Sequence, residues 1–140
     1  MSSRNTSHLA GEFLVAGELS RRGYPVSITM GNAKAVDIHA DTQKGTIRVD
    51  AKASQYNTSW PISEVKDNVF YIFVFLRKED KLRNESKSNK TTPPEYFIVS
   101  GKDISSKHFI EPWKNIPGIK YRTLNTSEHK ERWDKLPPPD

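Results

Sequence analysis

Cysteine is absent from the 140 residues of the chain, which excludes a disulfide framework and zinc sites built from thiolates. The opening segment, MSSRNTSHLAGEF, has no apolar signal core. Long hydrophobic runs are also missing, because the longest apolar stretch, residues 69–76, is far shorter than the roughly 20 residues that cross a bilayer. These absences predict a cytoplasmic protein with no membrane span.

Acidic residues are outnumbered by basic ones, 17 Asp and Glu against 22 Lys and Arg, which gives a formal charge of +5. A positive charge balance is compatible with a polyanionic partner such as nucleic acid. The length suits a single domain over residues 1–140 that buries a core without covalent staples. Residues 77–94 are polar throughout and lack any periodicity, so they predict a mobile loop within that domain.

A helix is predicted over residues 9–22, with Ser7 as its N-cap and Gly23 at its C-terminal stop. Stepping 100° per residue places Glu12 inside the apolar side of this helix. A carboxylate on a core-facing side costs free energy unless it is paired, hydrogen-bonded or bound to metal, which makes Glu12 a candidate functional group. The alternative is that Glu12, favoured in a first turn by the helix dipole, simply reaches solvent at the edge of that side.

The rest of the chain predicts a sheet that is covered on both faces. Residues 69–76 are apolar on both sides and rich in β-formers, so they predict a central strand flanked by helices. The other predicted elements are strands over residues 26–30 and 96–100 and helices over residues 101–108 and 127–136.

The most informative segment is residues 35–53, where two alternating apolar and polar runs predict a β-hairpin. A turn over residues 42–45 places Ile38 across from Val49 and Asp37 directly across from Asp50. Like charges in direct opposition weaken a sheet, so this pair predicts a compensating cation.

Hard oxygen ligands suit Mg²⁺, and Mn²⁺ commonly substitutes for it. Asp37 and Asp50 offer two carboxylates, and the backbone carbonyl of Ala51 offers a third oxygen. Lys52 projects to the same face, where its ammonium group would hold an attacking water or a phosphate. The structural alternative is a solvated hairpin face whose acidic and basic side chains merely neutralise each other.

Four polar residues adjoin this stripe and are candidates for contacting the phosphates of a nucleic acid. Solubility alone would also explain each of them. They are Lys34, Arg48, Ser54 and Gln55.

Several motifs together resemble the PD-(D/E)xK nuclease superfamily, which has the restriction-endonuclease-like fold. They are Gly11-Glu12 opening the helix, Gly23-Tyr24 at its end, Val36-Asp37 on the second strand and Val49-Asp50-Ala51-Lys52 on the third. The helix-to-turn spacing is similar to archaeal Holliday-junction resolvases. The later pattern WP…DNVFYIFVFL…PEYFIV…ERWDKL resembles small bacterial relatives.

The resemblance implies an α/β fold with a three-layer core. In that fold a central mixed sheet of four to five strands is flanked by helices in the order αβββ-β-β-α. It also implies Mg²⁺-dependent cleavage of DNA, with Asp37 and Asp50 as metal ligands, Lys52 as the catalytic lysine and Glu12 as the helix acid that assists the metal site. Val36 stands where the signature has proline. Pro61 breaks the segment in which the family has a second core helix.

These observations lead to the hypothesis of a Mg²⁺-dependent endonuclease that hydrolyses DNA phosphodiester bonds, of a repair, recombination, restriction or defence type. The first alternative is a catalytically silent module with the same fold that binds nucleic acid or a protein partner. A toxin or defence effector acting on RNA is the second, because no base-reading motif decides between DNA and RNA. A homodimer is compatible with this size, since two-fold symmetry matches two DNA strands.

Overall fold

The computed structural model describes residues 3–30, 36–77, 92–113 and 116–140. Within these ranges the chain is a mixed α/β protein. They are α1 (Ser3–Arg21), β1 (Val26–Met30), β2 (Val36–Thr42), β3 (Gly45–Ser54), β4 (Ser59–Pro61), β5 (Val69–Phe75), β6 (Glu95–Ser100), α2 (Gly101–Ser106), β7 (Glu111–Trp113), β8 (Ile116–Lys120), α3 (Tyr121–Leu124) and a 3₁₀ helix (Trp133–Lys135).

Five strands form the main sheet in the order β1-β2-β3-β5-β6. Strands β3 and β5 run parallel, and the other neighbouring pairs are antiparallel. The prediction of a mixed sheet with residues 69–76 as an interior strand is therefore confirmed. Residues 78–91, most of the predicted mobile loop, lie outside the described residues.

The hairpin of β2 and β3 has the predicted register. Ile38 pairs with Val49, and Asp41 pairs with Thr46. Gly45 has a φ of +104° at the turn, a conformation that glycine adopts without steric cost. Because side chains alternate along a strand, this register fixes which residues of both strands share a face.

One face of the main sheet is covered by α1 and by the C-terminal segment. Close packing of the helix on β3 depends on Gly11, because a Cβ atom added there would overlap the Cβ of Ala53. We call this side the helix face. Its core consists mainly of aliphatic side chains, including Val15, Leu19, Ile38, Val49, Ala51, Ile72, Val74 and Ile98.

The opposite face, which we call the cleft face, is covered only in part. A small three-stranded sheet in the order β4-β8-β7 lies over this face and shares an aromatic core with β5 and β6. Trp60 is central, with its ring 5.4 Å from that of Phe73 and 5.6 Å from that of Phe97. The expectation of helical cover on both faces is therefore only half right, because strands and the short helices α2 and α3 replace a long helix here.

The predicted terminal helix over residues 127–136 is wrong. This segment instead hydrogen-bonds to the edge of β6, with the Ile98 amide donating to the His129 carbonyl at 3.0 Å and the Glu131 amide donating to the Tyr96 carbonyl at 2.9 Å. Edge strands carry unpaired backbone groups, so this pairing competes with helix formation. Only the 3₁₀ turn remains, and it docks Trp133 into the core of the helix face as expected.

Helix α1 begins earlier than predicted, at Ser3, so Ser7 lies inside the helix and is not its N-cap. The buried Ser7 hydroxyl accepts a hydrogen bond from the Gln55 side-chain amide. Gly23 follows the end of the helix with a φ of +97°, which confirms the predicted stop. No helix among the described residues is long and apolar enough to cross a membrane.

Candidate active site

The polar stripe of the hairpin lies on the cleft face. Along β3, Val49 and Ala51 are buried in the core of the helix face, so Asp50 and Lys52 project to the other side of the sheet. The β2–β3 ladder extends as far as Ile38 and Val49. Asp37 precedes Ile38 on β2 and Asp50 follows Val49 on β3, so alternation places both carboxylates on the face opposite to Ile38 and Val49. The predicted stripe of two carboxylates and one ammonium therefore shares one face.

Each carboxylate of the stripe forms an ion pair with a cation of β3. Asp37 Oδ1 lies 3.2 Å from Arg48 Nη2, and both side chains are 43% exposed. Asp50 Oδ1 lies 3.6 Å from Lys52 Nζ. These side chains remain open enough to water to exchange these partners for a ligand, because exposed ion pairs contribute little net free energy.

A cavity of about 430 Å³ opens beside the stripe, and we call it the charged cavity. Strand β3 contributes Arg48, Asp50 and Lys52 to its lining, and the segment between β4 and β5 contributes Glu64 and Lys66. Three cations and two carboxylates thus surround a space of the size that holds one small organic ligand. Asp37 is not part of the lining, although it contacts Arg48.

Tyr71 forms the floor of the charged cavity and holds one wall in place. Its hydroxyl accepts a hydrogen bond from the Lys66 amide at 2.9 Å. Burial raises the pKa of this phenol, the Lys66 amide opposes that rise, and the negative charge of Asp50 adds to it. Tyr71 therefore stays neutral and fixes the backbone that carries Lys66 towards the stripe.

Glu12 is buried, as its position on the apolar side of the helix predicts. Its carboxylate lies 3.5 Å from His8 Nε2, one turn earlier in α1. Because α1 packs on the helix face, the backbone of Glu12 and the stripe lie on opposite sides of the sheet. Glu12 is not among the residues lining the charged cavity.

The four predicted phosphate-contacting residues have different environments. Arg48 lines the charged cavity, whereas Ser54 exchanges hydrogen bonds with the backbone of Tyr56 at 3.0 and 3.1 Å. Gln55 is buried against α1 through Ser7, away from solvent. Lys34 lies outside the described residues.

Sequence reasoning missed Glu64, Lys66 and Tyr71 as members of this site. The segment that carries Glu64 and Lys66 has no regular secondary structure, so no periodicity assigns its side chains to a face. Tyr71 was predictable in principle, because it pairs with Asp50 across the parallel strands β3 and β5. The alternation of β5 then directs it to the cleft face.

The oxygen atoms of the stripe are suitable ligands for a hard cation, and there are few of them. Mg²⁺ is usually held by one or two carboxylates together with waters, which the carboxylates of Asp37 and Asp50 and the carbonyl of Ala51 would satisfy. Within residues 3–30, 36–77, 92–113 and 116–140, no group of three or more His, Asp or Glu side chains is arranged to hold a metal ion.

Comparison with models of protein families, with curated proteins and with solved structures finds no match for this chain.

Proposed function

We propose that this protein is a Mg²⁺-dependent endonuclease of the PD-(D/E)xK type that hydrolyses DNA phosphodiester bonds at the charged cavity. The observation that carries the proposal is the meeting of Asp50 and Lys52 in one cavity with two further cations, Arg48 and Lys66. The mixed sheet, with antiparallel β1, β2 and β3 followed by a parallel β5, is compatible with the restriction-endonuclease-like core.

The reaction joins a water oxygen to phosphorus while the bond from phosphorus to the leaving deoxyribose oxygen breaks. The attacking water loses a proton to solvent, and the leaving oxygen gains one. Negative charge grows on the phosphoryl oxygens during this displacement. A divalent cation held by Asp37, Asp50 and the Ala51 carbonyl would supply charge neutralisation and a more acidic water.

The cations of the cavity have separate tasks in this proposal. Lys52 lies next to Asp50 and orients the attacking water or the scissile phosphate. Arg48 and Lys66 hold the non-bridging oxygens from two sides of the cavity, with Arg48 able to bind two oxygens at once. Glu12 has the role of supporting acid in this proposal because of the family resemblance. It is a buried carboxylate of α1, and its neighbour Gly11 packs on Ala53 of β3.

The experiment is a cleavage assay with duplex, nicked, flapped and single-stranded DNA in Mg²⁺ or Mn²⁺. Asp50→Ala and Lys52→Ala are each expected to lower the rate by at least about 10²-fold, because each removes charge stabilisation in the transition state. Asp41→Ala is the matched control, since Asp41 is an exposed aspartate of the same hairpin whose carboxylate contacts Thr46 instead. Glu12→Gln tests the helix acid separately.

A second candidate is a catalytically silent module that binds nucleic acid through the same cavity. Two observations favour it: the carboxylates of the stripe already pair with Arg48 and Lys52, and Glu12 belongs to a helix on the other face. This module would bind DNA without cleaving any substrate in either metal. Its affinity for DNA would be unchanged or raised by Asp50→Ala, because the substitution removes a negative charge from the cavity.

A further inference from the structure

A second cavity adjoins the charged one. It has a volume of about 390 Å³ and a mostly apolar lining, and we call it the apolar cavity. It lies on the outer face of the small sheet, where Gly118 pairs with Pro61 of β4 and with Glu111 of β7. The two cavities share Pro61, Ile116 and Pro117, which form an apolar ridge between them.

Ile116 is half exposed on this ridge, although large apolar side chains are usually covered. The next isoleucine of β8, Ile119, is fully buried in the aromatic core. The exposure of Ile116 therefore reflects its position between two open cavities.

The charge on the two sides of the ridge differs in a way that matches a nucleotide. The charged cavity is lined by Arg48, Lys52 and Lys66 together with the carboxylates of Asp50 and Glu64, so cations are in the majority. Arg48 and Lys52 form ion pairs with Asp37 and Asp50, whereas Lys66 forms none with any described residue. The two charged residues that line the apolar cavity, Glu111 and Lys120, form an ion pair with each other, with Lys120 Nζ 3.6 Å from Glu111 Oε1. A phosphate suits the first environment, and a flat base with a hydrophobic surface suits the second.

The size of the cavities and the accessibility of the bases favour a single strand over a duplex. Both volumes lie within the range of about 300–1,000 Å³ that holds one small organic ligand. Each cavity therefore accommodates one nucleotide unit at a time. A base that is stacked and paired inside a duplex does not reach such a cavity until it is extruded or unpaired.

We infer that the apolar cavity is a binding site for an unpaired DNA base, adjacent to the phosphate in the charged cavity and separated from it by the ridge of Pro61, Ile116 and Pro117. The preferred substrate is then single-stranded DNA, or the unpaired segment of a flap or junction. This inference rests on the proposed function for the identity of the ligand as DNA, but it concerns binding and does not require cleavage.

The test measures binding by fluorescence anisotropy in EDTA, so that no metal-dependent cleavage takes place. The probes are a labelled thymidine oligonucleotide, a duplex of the same length and an abasic oligonucleotide that keeps the phosphates without the bases. The wild-type protein is expected to bind the thymidine strand at least about tenfold more tightly than the duplex, since only the unpaired strand presents bases to the cavity.

Two variants separate the base from the phosphate. Ile116→Ala is expected to weaken binding of the thymidine strand about threefold to tenfold, less than the loss of an aromatic stacking platform, and to leave binding of the abasic strand within about twofold. Lys66→Ala is expected to weaken both strands and to reduce the slope of affinity against salt concentration by about one.

The matched controls are Ile28→Ala and Lys44→Ala. Ile28 is an isoleucine of β1 that is 40% exposed, and Lys44 is an exposed lysine of the hairpin turn; neither lines a cavity described above. Both controls are expected to bind like the wild type. Thermal unfolding of all variants excludes loss of folding as the cause of weaker binding.

The inference is overturned if the duplex binds as tightly as the single strand, or if Ile116→Ala weakens the thymidine and abasic strands equally. It is also overturned if Ile28→Ala has the same effect as Ile116→Ala. Failure of the nuclease proposal looks different, because the wild type would then bind the thymidine strand through Ile116 and yet cleave nothing in Mg²⁺ or Mn²⁺.

Discussion

The two faces of the main sheet are built from the same strands and have different chemistry. On the helix face, aliphatic side chains run from β2 to β6 beneath α1 and the C-terminal segment. On the cleft face, aromatic residues fill only the part beneath β4 and β8, and the part on β2 and β3 is polar and open. Strand β3 takes part in both faces. Its residues Val49 and Ala51 pack in the core of the helix face, and Asp50 and Lys52 belong to the candidate site. The candidate chemistry therefore lies on one face of the sheet, whereas both faces contribute packing.

The largest effect is expected from Trp60→Ala, which should lower the free energy of unfolding by about 3–5 kcal/mol through the cavity that it leaves. Trp60 is 1% exposed, and its indole nitrogen donates to the Val74 carbonyl at 3.0 Å. Urea unfolding measures the change. Trp133→Ala is the comparison on the helix face. At a temperature where both variants are folded, we expect only Trp60→Ala to weaken oligonucleotide binding, because Trp60 precedes Pro61 of the ridge. Equal binding by both variants would contradict the assignment of the binding site to the cleft face.

Gly11→Ala is expected to cost about 1–3 kcal/mol, because the added methyl group overlaps Ala53 and forces α1 away from β3. Gly17→Ala in the same helix is the control. No atom lies within 4 Å of a Cβ at that position, so this change should stabilise the protein by up to about 1 kcal/mol. Adding Ala53→Gly to Gly11→Ala should restore part of the loss. A Gly11→Ala variant as stable as the wild type would show that the helix does not pack this closely.

A smaller effect is expected on the pH dependence of stability, through His129. Burial and the neighbouring Lys135 ammonium lower the pKa of His129, whose Nδ1 lies 2.8 Å from Lys135 Nζ. In the unfolded chain His129 therefore gains a proton near pH 6.5, the ordinary histidine value, whereas in the folded protein it gains one only at lower pH. The free energy of unfolding consequently falls as the pH drops through that value. His129→Gln should flatten this dependence between neutral and mildly acidic pH, as measured by urea unfolding. His108→Gln, at an exposed histidine, is the matched control. If it flattened the slope as much as His129→Gln, the dependence would not belong to His129.

The smallest effect on stability is expected from Asp37→Asn. The ion pair between Asp37 and Arg48 is 43% exposed on both sides, so its loss should change the free energy of unfolding by less than about 1 kcal/mol. The same substitution should reduce DNA cleavage strongly if Asp37 holds a metal. A large loss of stability without an effect on cleavage would instead assign the stripe to the structure of the hairpin.

The hairpin was predictable in detail because its strands alternate cleanly. A shift of one residue would send Val49 and Ala51 into water and the charges of Asp50 and Lys52 into the core, so burial alone selects the register. The inward position of Glu12 followed from helical periodicity in the same way. The role of its carboxylate did not follow, because periodicity places a residue on a side of a helix and says nothing about which face of the sheet that helix covers.

The small sheet and the cavity walls were not predictable from sequence patterns. Strands β4, β7 and β8 contain three to five residues each, and each includes a proline, a residue that usually argues against a strand interior. They are held by contacts that are distant in sequence, such as the pairing of Trp60 with Ile119. Secondary-structure propensity depends on residues that are close in sequence, so it does not predict such contacts.

Gly101, the first residue of α2, lies directly against the carbonyl of Lys66, so that any side chain there would collide with the wall of the charged cavity. Position 101 itself contacts no candidate ligand. A sequence change at this remote point would nevertheless displace the backbone of Lys66 and with it one cation of the charged cavity, so that inherited or engineered variation can alter the cavity from a position outside its lining.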